Sequence, residues 1–265
     1  MRSVCSAALF GALCLCLAVV AEADDGWEYE GELGASWRQV TERDNGERLV
    51  REEGPAAAFN GAAALRSGAW RYLASAGYFG AKLDYSGRTQ FGAGLETETE
   101  WQGWHVGAGL ERRFLGPVPL RLGALLAYEQ RDRGIQPTDT TQGLDESYRT
   151  GWLMLNAAME PSGYAVLSAS LGCALTSEAQ VSFASTFDAA DVAIDDHCRA
   201  ALAGEFRLRR AQGRTYFLKP YAAWERYATT ESVPLSAGGV IQGALYLPGT
   251  EFLSYGLTFG VRRIR

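Results

Sequence analysis

Histidine is scarce in this sequence: His105 and His197 are the two copies among 265 residues. A zinc site needs about four histidine, cysteine or carboxylate ligands at close spacing, and two distant histidines do not provide them. The Gly-x-Ser-x-Gly elbow, the phosphate-binding loop and the dinucleotide-binding glycine pattern are also missing. The sequence therefore predicts neither a metal nor a cofactor, and His105 is expected to be an ordinary polar side chain.

An excess of positive charge is lacking as well, since the formal net charge is −6. Nucleic-acid-binding chains carry basic surfaces, so no nucleic-acid partner is expected. Beyond residue 24, no apolar run approaches the roughly 20 residues that a membrane-spanning helix requires. A bundle of transmembrane helices is therefore excluded.

The N-terminus carries an export pattern. Arg2 precedes an apolar stretch from Ala7 to Val20, which the small-x-small sequence of residues 21–23 follows. This arrangement is typical of a secretory signal peptide. Leu15 before Cys16 does not fit a lipoprotein signal. We predict that residues 1–23 are removed and that residues 24–265 form one domain.

Alternation of apolar and polar residues dominates the mature chain. In the last segment, Leu253, Tyr255, Leu257, Phe259 and Val261 alternate with serine, glycine and threonine. Such a period of two is typical of a β-strand with one apolar face. The same pattern recurs in segments 28–37, 104–111, 120–129 and 199–208. Segment 70–83 also reads as a strand, but its aromatic residues fall on both parities and its facing stays open.

The predicted connections are of two kinds. Short ones lie near residues 67–68, 116–119, 161–163 and 211–213. Long polar ones span about 40–53, 85–102, 132–147, 177–197 and 228–250, although the alternation of 91–101 could extend a hairpin. Strict alternation of short and long connections is typical of an up-and-down membrane barrel with short periplasmic turns. We predict an all-β, antiparallel transmembrane barrel of ten strands, within limits of eight to twelve.

Three features favour a membrane barrel over a soluble sandwich. The apolar faces run about nine to eleven residues, the length of a tilted membrane-crossing strand. The opposite faces mix glycine with charges of both signs. Aromatic residues lie near segment ends, as interfacial girdles require: Trp27, Trp37, Tyr72, Trp104, Tyr164, Tyr216 and Trp224.

The last strand carries a more specific pattern, in which Ser254, Gly256, Phe259 and Val261 keep the spacing polar-x-Gly-x-x-apolar-x-apolar. This resembles the C-terminal assembly signal of bacterial outer-membrane barrels. The resemblance implies recognition by the barrel-assembly machinery and a final environment of outer-membrane lipid and lipopolysaccharide. Segment 84–150 resembles small outer-membrane barrel domains without assigned activity, and that resemblance implies a fold and not a function.

Charged residues recur on the predicted inward faces. One interpretation is an ion-selective pore, and the other is a plug of mutually satisfied ion pairs. Because the two signs are mixed, we favour a lumen filled by side chains, as small barrels have. The central members of this predicted network are Glu111, Arg113, Arg121, Glu129, Arg131, Glu205 and Arg207.

The segment Asp195-Asp196-His197 is the one cluster that suggests catalysis. An Asp-x-His in an outer loop resembles the omptin outer-membrane proteases, but the second long loop holds only Asp84 where a carboxylate pair is needed. A solvated acidic loop is the favoured interpretation. Calcium at Asp188, Asp191, Asp195 and Asp196 is a further possibility without EF-hand-like spacing.

Cys173 and Cys198 are the two cysteines left after signal removal, and they belong to an oxidising compartment. Both keep the parity of the apolar residues on consecutive strands. We therefore predict that they lie opposite each other and form a disulfide bond.

These observations predict an outer-membrane barrel with a structural, adhesive or narrow transport role and no catalytic machinery. Two alternatives stay open. One is an omptin-like hydrolase that uses the loop around Asp195–His197, and the other is a soluble periplasmic all-β binding protein.

Overall fold

The computed structural model describes residues 26–88, 94–139, 143–183 and 187–264. The signal segment, Phe91 and the middle of three connections therefore lie outside the described residues. No helix in this part of the chain is long and apolar enough to span a membrane.

Ten long strands form a closed antiparallel barrel, as the alternation predicts. Each of these strands pairs with its neighbour along the chain, and the first (Trp27–Asp44) pairs with the last (Gly249–Ile264) to close the ring. A short strand, Ala190–Ala193, adds to the end of the strand Ala165–Phe183, and Val233–Ala237 pairs with Val240–Leu245 in a separate hairpin. The strands are β1 (Trp27–Asp44), β2 (Glu47–Ser67), β3 (Trp70–Arg88), β4 (Gly94–Phe114), β5 (Leu120–Ile135), β6 (Leu144–Ser162), β7 (Ala165–Phe183), β8 (Ala190–Ala193), β9 (Cys198–Ala211), β10 (Arg214–Tyr227), β11 (Val233–Ala237), β12 (Val240–Leu245) and β13 (Gly249–Ile264).

The predicted long loops are wrong in extent. Residues 40–53 are mostly strand, and β1 joins β2 through a tight turn at Asn45-Gly46, both with positive φ. An Asn-Gly pair suits this turn because both positions adopt left-handed conformations readily. Most of 85–102 and 132–147 also continues as strand, and the 228–250 connection folds into the β11–β12 hairpin. These segments have a loop-like composition because their outward faces are polar, although most of their residues continue as strands.

An apolar band surrounds the barrel. On β1, Tyr29, Leu33 and Trp37 face outward and are 40–65% exposed. They span about nine residues, which matches a tilted strand in a bilayer. On β3 the open question of facing is settled: Tyr72 and Tyr78 face outward, whereas Leu83 is buried inside. The outer limit of the band is marked by Trp37, Tyr78, Trp104, Trp224 and Tyr255.

Beyond this outer limit the two faces exchange character. Outward positions now carry polar residues, such as Glu100 on β4 and Asp145 on β6, while Val40, Leu83 and Trp101 are buried inside. The outer third of the barrel, which we call the outer extension (residues 39–52, 81–88, 94–102, 130–139, 143–149, 177–183, 187–197 and 225–253), is therefore organised like a soluble barrel. Water contacts its outside, and its inside holds an apolar core together with buried charged residues such as Arg133 and Glu52.

The predicted cysteine register is confirmed. Cys173 and Cys198 are direct cross-strand partners at the last position of the β7–β9 pairing. Their Sγ atoms lie 3.6 Å apart as free thiols. The geometry thus brings the thiols together, and the bond itself stays a prediction.

We predict that oxidation joins Cys173 to Cys198 in the exported protein. Closing a loop of this size stabilises a fold by roughly 3 kcal/mol in the chain-entropy model. Mass spectrometry of the protease-digested, non-reduced protein, with free thiols trapped before lysis, should give one linked peptide. Two separately alkylated peptides would contradict the prediction.

The four residues of the predicted assembly signal all lie on β13. Phe259 is 49% exposed on the apolar band. Gly256 faces the lumen, where a Cβ atom would lie 2.4 Å from the carbonyl oxygen of Ala35 on β1. Strand closure therefore gives this glycine a packing role of its own, while recognition by the assembly machinery stays a prediction.

We expect Phe259→Asp to block insertion, because it places a carboxylate in hydrocarbon on the closing strand, at a cost of about 2 kcal/mol. Folded barrels migrate differently before and after boiling on detergent gels, and the variant should lose this shift. Gln39→Asp, on the outward face of β1 above the band, is the matched control and should fold normally. Normal insertion of Phe259→Asp would refute the assigned band.

Candidate functional site

The lumen holds two layers of charge, both produced by the inward parity of the strands. The inner charge layer lies at the periplasmic end and consists of Glu28, Glu30, Arg71, Glu111, Glu205 and Arg262. Arg71 donates to Glu28 and Glu111 at 2.8 Å each. Arg262 forms a bidentate pair with Glu205 at 2.9 and 2.6 Å and also donates to Glu30. These contacts join β1, β3, β4, β9 and β13 across the lumen.

Three other predicted residues lie at the edge of this layer. Arg207 donates to Glu160 at 2.9 Å. Arg121 lies 3.9 Å from Glu111, and Arg113 lies 4.0 Å from Glu160. The structure therefore brings the predicted network residues of the periplasmic end together, but Arg113 and Arg121 stay outside its direct hydrogen bonds.

The outer charge layer consists of Glu129, Arg131, His197, Arg199 and Glu225. Arg131 on β5 forms a bidentate pair with Glu225 on β10, with both contacts at 2.6 Å, and also donates to Glu129 at 2.7 Å. Arg199 donates to the second oxygen of Glu129 at 2.8 Å. Bidentate guanidinium–carboxylate pairs are directional and strong, so this layer ties distant walls of the barrel together.

Between the layers the lumen is lined by small residues. A cavity of about 290 Å³ is walled in part by Asn156, Ser170, Ala201 and Ala203. Lys219 from β10 reaches Glu32 on β1 at this level. His105 lies on the same inward face, opposite Gly77 and Glu129, as predicted.

A third group of ion pairs, centred on Arg133, lies higher in the outer extension. Arg133 contacts Glu42 at 2.7 Å, Glu146 at 2.8 Å and also Glu52. Glu52 accepts further hydrogen bonds from Thr99 at 3.0 Å and from the Trp101 indole at 2.7 Å. Sequence reasoning missed this group because residues 40–53 and 132–147 were assigned to loops. The group could have been found from strand alternation, because Arg133 lies two residues after Arg131 and Glu52 lies two residues after Val50, on the same inward face.

Aromatic rings close the lumen around the Arg133 group. The Trp101 ring centroid lies 5.7 Å from that of Phe252 on β13 and 5.9 Å from that of Tyr148 on β6. The Tyr148 centroid lies 6.3 Å from that of Tyr227 on β10. The Arg38 guanidinium lies below these rings, 5.0 Å from the Trp101 centroid. We call this set of four rings the aromatic cap.

Comparison with solved structures finds chains to which this one is similar. Outer membrane protease OmpT from Escherichia coli superposes with a TM-score of 0.57 at 11% identity, over 92% of this chain and 98% of that one. The translocator domain of autotransporter NalP from Neisseria meningitidis gives 0.46 at 11% identity, over 96% of each chain. Ail, the attachment invasion locus protein of Yersinia pestis, in complex with sucrose octasulfate, gives 0.38 at 11% identity, over 89% of this chain and 98% of that one. No family model and no curated protein sequence matches the chain.

The closed barrel and its aromatic-bordered apolar band decide the class. The chain is an outer-membrane β-barrel protein. At 11% identity the OmpT likeness shows the fold alone, so no activity is carried over from it.

The solvated-loop interpretation is wrong for His197 in this outer-membrane barrel. His197 is only 6% exposed, whereas Asp195 and Asp196 are exposed as expected. The imidazole contacts Ser177 Oγ through Nδ1 and Glu225 through Nε2, each at 2.9 Å. A β-bulge in the β6–β7 pairing near Trp152 turns Ser177 inward. This bulge interrupts the simple alternation on which sequence parity depends.

The carboxylates considered for calcium do not converge. Asp188 accepts hydrogen bonds from Ser236 at 2.8 Å and from the backbone N–H of Gly239 at 3.0 Å. Asp191 accepts one from Gln180 at 2.9 Å. Within residues 26–88, 94–139, 143–183 and 187–264, no group of three or more histidine, cysteine or acidic side chains is arranged for a metal.

Burial raises the pKa of the Glu42 carboxyl to about 7, although Arg133 lowers it. The neighbouring carboxylates of Glu52 and Glu146 raise this pKa further, because three carboxylates surround the single guanidinium of Arg133. A carboxyl whose pKa is higher in the folded state contributes stability below its unfolded pKa of 4.5 and loses it as the pH rises through about 7.

We therefore predict that the barrel is less stable at pH 8 than at pH 5, and that Glu42→Gln removes up to about 3 kcal/mol of this difference. Urea unfolding in lipid vesicles at both pH values measures it. Glu53→Gln, on an exposed outer carboxylate paired with Arg51, is the control and should keep the wild-type profile. An unchanged pH dependence in Glu42→Gln would contradict the assignment.

Proposed function

We propose that this protein is a non-conducting barrel whose filled lumen holds the outer extension rigidly above the membrane, in a structural and adhesive role. The single observation that carries the proposal is contact across the lumen. Side chains from well-separated strands meet in the outer charge layer, in the Arg133 group and in the aromatic cap.

These contacts oppose a transport role. The Arg131–Glu225 pair spans from β5 to β10, and the rings of Trp101 and Phe252 span from β4 to β13. An ion passing along the axis would have to break a buried bidentate pair and then displace packed rings. Removing one partner of such a pair leaves a buried unpaired charge, which typically costs about 3–5 kcal/mol. Narrow transport is therefore the less favoured role.

A catalytic role is also less favoured. Ser177, His197 and Glu225 are in line, but the carboxylate is already held by Arg131 through two hydrogen bonds. The imidazole is packed against Trp152, with ring centroids 4.5 Å apart. A nucleophile or base needs an approach for substrate, and this buried arrangement instead links β7 and β10 through His197, which lies just before β9.

An exposed apolar hairpin favours the adhesive part of the role. Val240 and Ile241, at the β11–β12 turn, are 61% and 69% exposed. The hairpin is held by Asp188, whose carboxylate accepts from Ser236 and Gly239. Apolar side chains presented on a fixed support beyond the membrane are typical of a protein-binding surface.

In planar bilayers we expect the purified protein to give no large, steady conductance. Double substitution of Trp101→Ala and Phe252→Ala removes two rings of the aromatic cap and should raise the frequency of openings. Trp224→Ala, which removes an outward-facing ring at the outer limit of the apolar band, is the control and should stay silent. Large steady openings of the wild type would overturn the plugged-barrel proposal.

For adhesion, we expect double substitution of Val240→Ser and Ile241→Ser to reduce attachment of expressing cells to surfaces coated with extracellular protein. The hairpin tip would lose the apolar area that a partner buries. Leu115→Ser with Val118→Ser, on a periplasmic turn, removes similar exposed area and should leave attachment unchanged. Equal attachment of all three strains would exclude this hairpin as the contact.

A further inference from the structure

Eight arginines surround a cavity at the periplasmic end of the barrel. Its volume is about 700 Å³, and its lining includes one acidic residue, Glu160. We call this cavity the periplasmic vestibule. The arginines come from β2, β3, β4, β5, β9 and β13, so the cavity is the mouth of the barrel and not a surface groove: Arg66, Arg71, Arg113, Arg121, Arg207, Arg209, Arg210 and Arg262.

Half of these guanidinium groups are already neutralised by the protein. Arg66, Arg71 and Arg262 contact Glu28, and Arg207 contacts Glu160. These pairs form the floor of the vestibule. They fix its shape, because each carboxylate is held by charged partners on different strands.

The other half has only distant carboxylate partners, or none, among the described residues. Arg121 and Arg113 come no nearer to a carboxylate than 3.9 and 4.0 Å. Arg209 and Arg210 are exposed and form no ion pair within the described part of the chain. Arg121 Nε is buried without a hydrogen-bond partner, as is Arg71 Nε beside it. An unsatisfied buried donor costs free energy that an incoming acceptor recovers.

The position of the vestibule indicates which acceptor suits it. Trp70 and Tyr164 line its rim together with Leu208 and Ile264. Aromatic residues of this kind mark the level of lipid headgroups, where phosphate is the abundant anion. Guanidinium groups bind phosphate through paired hydrogen bonds. The concentration of positive charge is local, since the whole chain carries a net charge of −6.

We propose that the periplasmic vestibule is a binding site for a phosphate group, presented either by an anionic phospholipid of the inner leaflet or by a soluble phosphate compound. Arg113 and Arg121 bind the phosphate, and Arg209 and Arg210 attract it from the periplasm. The inner charge layer beneath them stops the ligand from passing further into the lumen.

The test uses Arg113→Gln with Arg121→Gln in the folded, detergent-solubilised barrel. Arg149→Gln with Arg226→Gln removes equal charge at the opposite end and serves as the control. Calorimetric titration with pyrophosphate probes the soluble source, and native mass spectrometry with phosphatidylglycerol against phosphatidylcholine probes the lipid source. The gel shift on boiling confirms that each variant is folded.

We expect at least one probe to bind the wild type and the control alike, and to bind the vestibule variant at least about tenfold more weakly. Binding of pyrophosphate identifies a soluble ligand, and selective retention of phosphatidylglycerol identifies a headgroup. The proposal is overturned if neither probe binds, or if the control variant loses binding equally.

Discussion

Lipid contacts one face of every strand in the membrane-spanning part of the barrel, and this constraint places nearly every charged side chain. A strand has two faces, and hydrocarbon cannot solvate charge. Charged residues at these levels must therefore face the lumen, where space is small. Because strand alternation brings these charged side chains together in the lumen, they must neutralise one another. They do so in the inner and outer charge layers.

Buried ion pairs are expensive to form, because both partners lose water. The outer charge layer offsets this cost with geometry: Arg131 has carboxylate acceptors in Glu129 and Glu225, and Trp152 donates to Glu129 at 3.1 Å. The Arg133 group is less balanced, with three carboxylates around one guanidinium. Such networks give rigidity more than stability, which suits a barrel that supports a fixed outer surface.

The sequence predicted the barrel, its ten strands and the inward parity of the charges, since lipid imposes a strict period of two. It predicted the pairing of Cys173 with Cys198 for the same reason. It failed beyond the membrane, where water replaces lipid and the outward face becomes polar. Val40, Leu83 and Trp101 form a core there, yet their surroundings resemble loops in composition.

The placement of His197 could not be predicted from the sequence at all. It depends on a β-bulge near Trp152 and on a bend after β8 at Asp196, which has φ +49°. Neither has a distinct signature in residue composition. Backbone irregularities therefore bring Ser177 to His197 and His197 to Glu225, whereas strand alternation alone brings Arg131 to Glu225. The period-two alternation of the sequence therefore determines which side chains line the regular part of the lumen. In the irregular part around His197, backbone irregularities and packing determine their positions.

The proposed structural role requires a lumen that is sealed from the outside. A cysteine at Ala201, in the cavity below the outer charge layer, tests this directly in a background that carries Cys173→Ser and Cys198→Ser. A membrane-impermeant maleimide added to intact cells should label Asp145→Cys on the outer extension and leave Ala201→Cys unlabelled. Labelling of Ala201→Cys at a comparable rate would show an open path through the cap and contradict the account.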